Sequence, residues 1–567
     1  MATLLGDAAS LQAAGDDIVA ERLCRLVIAM QPGNADAHFR LGSLLGRQNR
    51  ADEALLHLSR AVEKNPQWLE AQVALGNVHL LKGRLDAAQD CYAAALRLAP
   101  SNPTIFFNLG MLAQSRLDYK TALANFEQAY ALAPRMDGLL KNLTWAQVEL
   151  GQIEVAERRL LELATVRPDD PEVLFSLGYT LQNAHRPEHA VGYFERARSL
   201  GSKDADFLLN FGIVLRDLGR IDEAMRCFDD ALAAKPKFEP ALWHRSLAFL
   251  LQHDFVRGWA HYDLRLISKD RPQQPQSHPQ WRGQKAGGAR LLIYGEQGLG
   301  DEIMFASCLP EMIAASGRCT VECSPKLQAL FQRSFPQAEI RSSVPALHGD
   351  AIDTQVAMGS LPQYLRKTAA DFPRHQGYLC ADPARVAAWR QRLSALGAGP
   401  KIGISWRGGS YKSRSPVRSL PLDAWGPILQ LSGAYFVDLQ YTDCSDEVNE
   451  AAKRFGINIH RWPELREDFE ETAAAVCAVD LVISVCTTLI HVSGALGRPV
   501  WIMAPFSPEW RYGLRGDGMP WYPSARVFHQ PSYGAWAPLI ADVAQSLRAW
   551  RDDKPDAGHQ LSLKRPE

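Results

Sequence analysis

The chain has 567 residues, too many for one ordinary core, so two to four domains are expected. Its 62 Lys and Arg face 63 Asp and Glu, which leaves no net field to draw in nucleic acid or a membrane surface. A hydrophobic fraction of 47% is that of an ordinary globular protein. Ten cysteines are scattered without a Cys-x-x-Cys pair. That pattern fits buried thiols in a reducing compartment rather than a disulfide frame or zinc site. Met1-Ala2-Thr3-Leu4-Leu5-Gly6-Asp7 lacks a basic stretch followed by a long apolar one, and no later window carries the roughly 20 apolar residues of a membrane span. A soluble, cytoplasmic protein is expected.

The first half is periodic. Leu41-Gly42, Leu75-Gly76, Leu109-Gly110, Leu177-Gly178 and Phe211-Gly212 fall on one 34-residue grid, with Leu143-Thr144 in the missing step. Ala20, Ala54, Ala88, Ala122, Ala156, Ala190 and Ala224 form a second column. Pro32, Pro66, Pro100, Pro134, Pro168 and Pro236 form a third, broken by Ser202. Small residues let two antiparallel helices approach closely, and each proline closes a unit because it cannot continue a helix. Leu56, Tyr92, Phe126, Tyr193 and Phe228 are expected to fill the space between. The columns resemble the tetratricopeptide repeat family over residues 1–272, with seven repeats and a degenerate eighth in which Gly258 replaces the alanine. Such α-solenoids stack into a superhelix whose concave face binds protein segments.

From Lys269 to Gly288 the chain is rich in proline and glutamine, which suits neither helix nor strand and predicts a linker over residues 273–288, anchored through Trp281. The period then changes. Ala289–Tyr294, Cys319–Cys323, Lys401–Trp406, Tyr435–Leu439, Asp480–Ser484 and Pro499–Met503 read as strands, with Glu302–Ser316 a helix between the first two. Alternating strands and helices imply parallel sheets covered on both faces. A break at Leu396-Gly397-Ala398-Gly399-Pro400 divides this half into Rossmann-like domains over 289–396 and 397–552, followed by a solvated tail over 553–567. Ligands of such folds bind at the carboxyl ends of the strands.

Two loops carry candidate chemistry. In "YGEQGLGDEIMFA", Gly295, Gly298 and Gly300 allow a tight turn after a strand, and Asp301 stands at a helix start. Asp301 reads either as a helix cap or as a general base facing the cleft. In "ISVCTTLIHVSGALGRP", a helix begins near Thr487 and Thr488 with His491 one turn in. Its free N–H groups, dipole and hydroxyls suit an anion such as a diphosphate; equally, the threonines read as caps and His491 as a structural histidine.

"GEQGLGDEIMFA", "RSLPLDAW", "DLVISVCTTLIHVSGALGRPVWIM" and "PEWRYGL" followed by "WYPSARVF" resemble the heptosyltransferase-related glycosyltransferases, in members fused behind tetratricopeptide repeats. The resemblance implies a GT-B module of two Rossmann-like domains that moves a sugar from a nucleotide sugar, with inversion and without metal or other cofactor. The absence of Asp-x-Asp from Ala289 to Trp550 agrees with a metal-free enzyme. It further implies that Asp301 is the base, that Arg418 contacts the donor diphosphate, and that Thr487, Thr488 and His491 flank the donor. Gly298, Gly300, Trp406, Arg407 and Gln440 complete the implied donor site. Cys486 stands where many relatives carry aspartate, a departure that bears on donor choice. By analogy with other repeat-fused transferases, the acceptor is expected to be a protein held by the repeats, such as a bacterial flagellar or surface subunit glycosylated in the cytoplasm. The alternatives are a saccharide or lipid-linked acceptor, or a non-catalytic scaffold with a decayed transferase half.

Overall fold

The computed structural model describes residues 2–267, 278–284, 287–342, 352–409 and 414–553. Apart from Asp553 itself, the tail expected from 553 onward lies outside the described residues, as do 273–277 and 285–286 of the linker. Two compact units divide at Ser202 and Lys203.

Helices pair along the repeat grid, from Ala2–Ala13 with Asp17–Met30 to Glu239–Leu251 with the short Phe255–Trp259. The glycine column has a steric cause. A Cβ built on Gly76, Gly110, Gly178 or Gly212 would lie 2.4 to 2.7 Å from the ring of Tyr92, Phe126, Phe194 or Phe228, which sits 16 positions further on. Leu58 plays that part against Gly42. Two of the filling residues expected from sequence are thereby corrected: Leu56 is exposed and Tyr193 only partly buried, while Leu58 and Phe194 are buried. The true register is the glycine plus 16.

A further column emerges in the turn inside each helix pair. Gly15, Asn49, Gly83, Leu117, Gly151, His185, Gly219 and His253 recur every 34 residues, and all have φ between +57° and +83°. Leu117 is the awkward member, because a branched side chain there crowds the backbone by roughly 1–2 kcal/mol. Since Leu117 is largely exposed, Leu117→Asn loses little burial and is expected to stabilise the first unit by about 1 kcal/mol in urea unfolding. A lower midpoint would show that the turn carries no strain.

The first unit also holds a buried histidine pair. Nε2 of His38 lies 2.9 Å from the carbonyl of Pro32, which can only accept, and the Nδ1 atoms of His38 and His57 are 2.9 Å apart. In the neutral pair His57 thus donates to His38. Burial, followed by the neighbouring His38, pushes His57 down to about 4.

The second unit combines the last two helix pairs with two parallel sheets. The first sheet contains β1 (Arg290–Tyr294), β2 (Arg318–Cys323), β3 (Glu339–Ser342) and β4 (Thr354–Ala357), in the order β3-β2-β1-β4. The second contains β5 (Lys401–Ser405), β6 (Tyr435–Asp438), β7 (Ile459–His460), β8 (Leu481–Val485), β9 (Val500–Ala504) and β10 (Ala525–His529), ordered β10-β9-β8-β5-β6-β7. Every pairing is parallel. Strand order reverses between β1 and β4 and between β5 and β8, the crevices where doubly wound folds bind ligands.

The expected strands shift by about one residue, and four others appear: β3, β4, β7 and β10. Those four are short or interleave polar residues, so their apolar signal is weak. The helix expected over Glu302–Ser316 begins earlier, at Leu299, and is broken by a 3-10 turn at Ala306–Cys308. Pro310 then falls in the first turn of a new helix, Leu309–Ala315, where a missing N–H costs nothing. In the described part of the linker, Trp281 is buried, bonds the Gln355 carbonyl through its backbone N–H at 2.8 Å and packs edge-on against Tyr364.

The last repeat is part of this unit's core. The Trp259 indole donates to the Arg366 carbonyl at 2.8 Å, and the Trp259 and Tyr262 rings meet Trp510 edge-on at 5.4 and 5.7 Å. Arg265, almost wholly buried, reaches Glu296 at 3.0 Å in the loop after β1. Among the described residues, no helix is long and apolar enough to cross a membrane.

Candidate active site

A cavity of about 400 Å³ opens where the loop after β1 meets the loops after β5 and β8. Gly298, Gly300, Asp301, Arg418, Cys486, Thr487, Thr488 and His491 all line it.

After β1 the backbone of Gly298 is extended and starts the helix Leu299–Phe305 without a side-chain cap. Asp301 is the third residue of that helix, and its Oδ1 accepts from the Arg511 guanidinium rather than from the helix end. Of the two readings of Asp301, the cap is therefore excluded. Gly300 allows this helix to lie against Thr488–Ala495: a Cβ there would fall 2.9 Å from Cδ2 of His491 and 3.4 Å from Oγ1 of Thr488.

After β8, Thr487 is the N-cap of Thr488–Ala495, its Oγ1 accepting from the Leu489 N–H at 3.2 Å and lying 3.0 Å from Oγ of Ser484. His491 is buried, with Nδ1 3.1 Å from the Tyr522 hydroxyl. Burial, then the positive charges of Arg511 and Arg418, hold His491 well below the usual histidine range, so it faces the cavity as a neutral ring. Burial likewise drives the Cys486 thiol well above its ordinary value.

Arg418 ends the short helix Ser415–Arg418, pairs with Glu509 at 2.8 Å and donates from Nε to the Gly408 carbonyl at 3.3 Å. Trp406, Arg407 and Gln440 are not brought to the cavity. Trp406 is buried and donates its indole N–H to Glu447 at 2.9 Å, and Arg407 pairs with the same carboxylate. Oε1 of Gln440 accepts from the Ser405 hydroxyl at 3.0 Å and from the backbone N–H groups of Trp406 and Arg407 at 3.2 Å. Its amide therefore braces the turn after β5, with no acceptor left for a ligand.

Sequence reading left out Glu509, Arg511, Tyr512 and Lys326. Glu509 caps the 3-10 turn Trp510–Tyr512 and Arg511 and Tyr512 lie within it, inside the "PEWRYGL" stretch, where two opposite charges flank a tryptophan. Burial works against the charge of Arg511, yet Asp301, Tyr512 and Glu509 beside it raise its pKa above the ordinary arginine value. Lys326 follows β2 and lines the cavity.

Protein FlbA of Caulobacter vibrioides is 31% identical to this chain over 489 residues, covering 76% of the chain and 82% of that protein. The chain belongs to the FlbA family. Because the described repeat helices end by residue 267, a match of that extent includes part of the two-sheet region as well as the repeats. Within this FlbA-family chain, residues 19–68 match the tetratricopeptide repeat model and residues 66–253 match the model described as the Cilia and flagella-associated protein 70 C-terminal domain. The human Protein O-mannosyl-transferase TMTC3 is 23% identical over 211 residues, 35% of this chain and 23% of that one. A tetratricopeptide repeat protein from Parabacteroides merdae, solved as a crystal structure, covers 44% of the chain and 98% of its own length at a TM-score of 0.40 and 16% identity.

Among the described residues, two polar atoms of the FlbA-family site are buried without a hydrogen-bond partner: Nε of Arg511 and Oε2 of Glu509. One is a donor and one an acceptor, and each costs desolvation energy until something pairs with it. Among the described residues, no three His, Cys, Asp or Glu side chains are grouped to hold a metal ion.

Proposed function

We propose that this protein is a metal-independent, inverting glycosyltransferase of GT-B type, moving a sugar from a nucleotide sugar to a hydroxyl on a protein presented by the repeats. The observation that carries this reading is the convergence of Asp301 and Arg418, from loops on two different parallel sheets, on one cavity. In the proposed reaction the donor diphosphate lies at the amino end of Thr488–Ala495, against Arg418, which exchanges Glu509 for phosphate oxygens. The acceptor oxygen attacks the anomeric carbon as the bond to the diphosphate breaks. Its proton passes to Asp301, and the bonding electron pair leaves on the diphosphate, whose growing charge Arg418 offsets. His491, being neutral, serves as a hydrogen-bonding wall and contributes no charge.

A non-catalytic scaffold is the second reading, favoured by one observation: Asp301 and Arg418 are each neutralised by an ion pair, to Arg511 and Glu509. Thermal shift with UDP-, ADP-, GDP- and CMP-sugars separates the two. The enzyme reading expects one donor class to raise the melting temperature, with the rise lost in Arg418→Ala. Equal rises in wild type and Arg418→Ala would remove Arg418 from the donor site. No rise with any donor would favour the scaffold.

A further inference from the structure

One carboxylate of the repeats bridges two segments that lead to the cavity. Asp217 is the last residue of helix Ala205–Asp217 and is largely buried. Its Oδ1 accepts from the Ser507 hydroxyl at 3.2 Å and from the Arg216 guanidinium at 2.9 Å, and its Oδ2 lies 3.5 Å from the Arg414 guanidinium. Both outer partners sit just before residues of the cavity. Arg414 is the N-cap of Ser415–Arg418, and its carbonyl accepts from the Arg418 N–H at 3.3 Å. Ser507 is two residues ahead of Glu509, the ion-pair partner of Arg418.

The backbone between them is constrained. Arg414 has φ +61°, a conformation that a non-glycine residue keeps only when its surroundings hold it. Phe506 packs on Gly219, two residues beyond Asp217, so closely that a Cβ there would lie 3.1 Å from the ring. Further along, Trp259 and Tyr262 grip Trp510, between Glu509 and Arg511. The repeat side therefore touches both segments that set the Arg418–Glu509 pair.

We infer that Asp217 is a positioning residue: from inside the repeat array it holds the Arg414–Arg418 turn and the Ser507–Arg511 segment in register, so that the repeats fix where the anion-binding guanidinium stands. The consequence for anion binding rests on the function proposed above. The positional claim does not.

Hydrogen exchange on the full chain tests it. Asp217→Asn keeps an acceptor for Ser507 but removes the charge facing Arg414. Exchange over 414–420 and 505–513 should rise about tenfold with the rest of the chain unchanged, and Asp222→Asn, an exposed change in the same helix pair, should leave both segments as in wild type. Inorganic pyrophosphate, used as the probe, should bind Asp217→Asn at least fivefold more weakly than wild type. Unchanged exchange in both segments, or a uniform rise over the whole chain, overturns the inference. Localised exchange with unaltered pyrophosphate affinity also overturns it, because the guanidinium then stands correctly without Asp217. If pyrophosphate binds neither protein, a localised rise still supports the positional role, and the reading of the cavity is what fails. Should Asp217→Asn not fold, Ser507→Ala, which removes one arm and keeps both charges, is expected to raise exchange over 505–513, and no rise there overturns the claim.

Discussion

Asp301→Asn is expected to lower glycosyl turnover by about 10²–10⁴-fold while leaving donor affinity within about threefold. The amide is isosteric and keeps an oxygen for Arg511, so the helix Leu299–Phe305 has no reason to move against Thr488–Ala495. What disappears is the capacity to take a proton. A loss of turnover with unchanged donor binding isolates that role, while the melting temperature falls because Arg511 loses its counter-charge. Near wild-type turnover would show that the Asp301–Arg511 pair is purely structural. The contrasting substitution, Arg511→Ala, leaves a partly buried carboxylate without its cation, and breaking a buried pair in this way costs about 3–5 kcal/mol. It should therefore fail first in stability rather than in chemistry.

Removing the last repeats is expected to unfold the two-sheet region. A chain of residues 278–567 loses the Trp259 indole bond to Arg366 and the rings of Phe255, Trp259 and Tyr262, which pack on Phe372, Phe305 and Trp510. It also strands Glu296 and Ser360, which Arg265 holds at 3.0 and 2.9 Å. Each large aromatic removed from a core costs about 3–5 kcal/mol, and a stranded buried charge a similar amount. Together these come to about 12–20 kcal/mol, comparable with or above the roughly 5–15 kcal/mol that keeps a typical domain folded. Residues 203–567, which retain those contacts, should melt cooperatively. A shortened chain of 278–567 with a sharp, undiminished thermal transition would show that the repeats are merely attached.

The repeats were legible because each column has a local cause that recurs every 34 residues. The register of the filling residue was not, since Leu56 and Leu58, or Tyr193 and Phe194, are equally apolar neighbours and only the approach of Gly42 or Gly178 selects between them. The glycine loop and the Thr487 helix start could be located because a strand-to-helix turn imposes small and capping residues. Their charge partners could not, because Glu509 and Arg511 lie far along the chain and reach Arg418 and Asp301 only through the tertiary fold. Trp406, Arg407 and Gln440 are placed at the site by the family resemblance, yet burial turns Trp406 inward and the Gln440 amide is consumed by backbone groups. Asp217 carries no sequence signal at all: it is one more charged residue at the end of a repeat helix.

The decisive assay follows release of nucleoside diphosphate from a panel of UDP-, ADP- and GDP-sugars, and of nucleoside monophosphate from CMP-sugars. The full chain is assayed alone and with a dialysed bacterial protein fraction. One donor class should be turned over, faster with the protein fraction present, and Asp301→Asn should abolish the difference. No release from any donor, or release that Asp301→Asn leaves untouched, would contradict the glycosyltransferase reading.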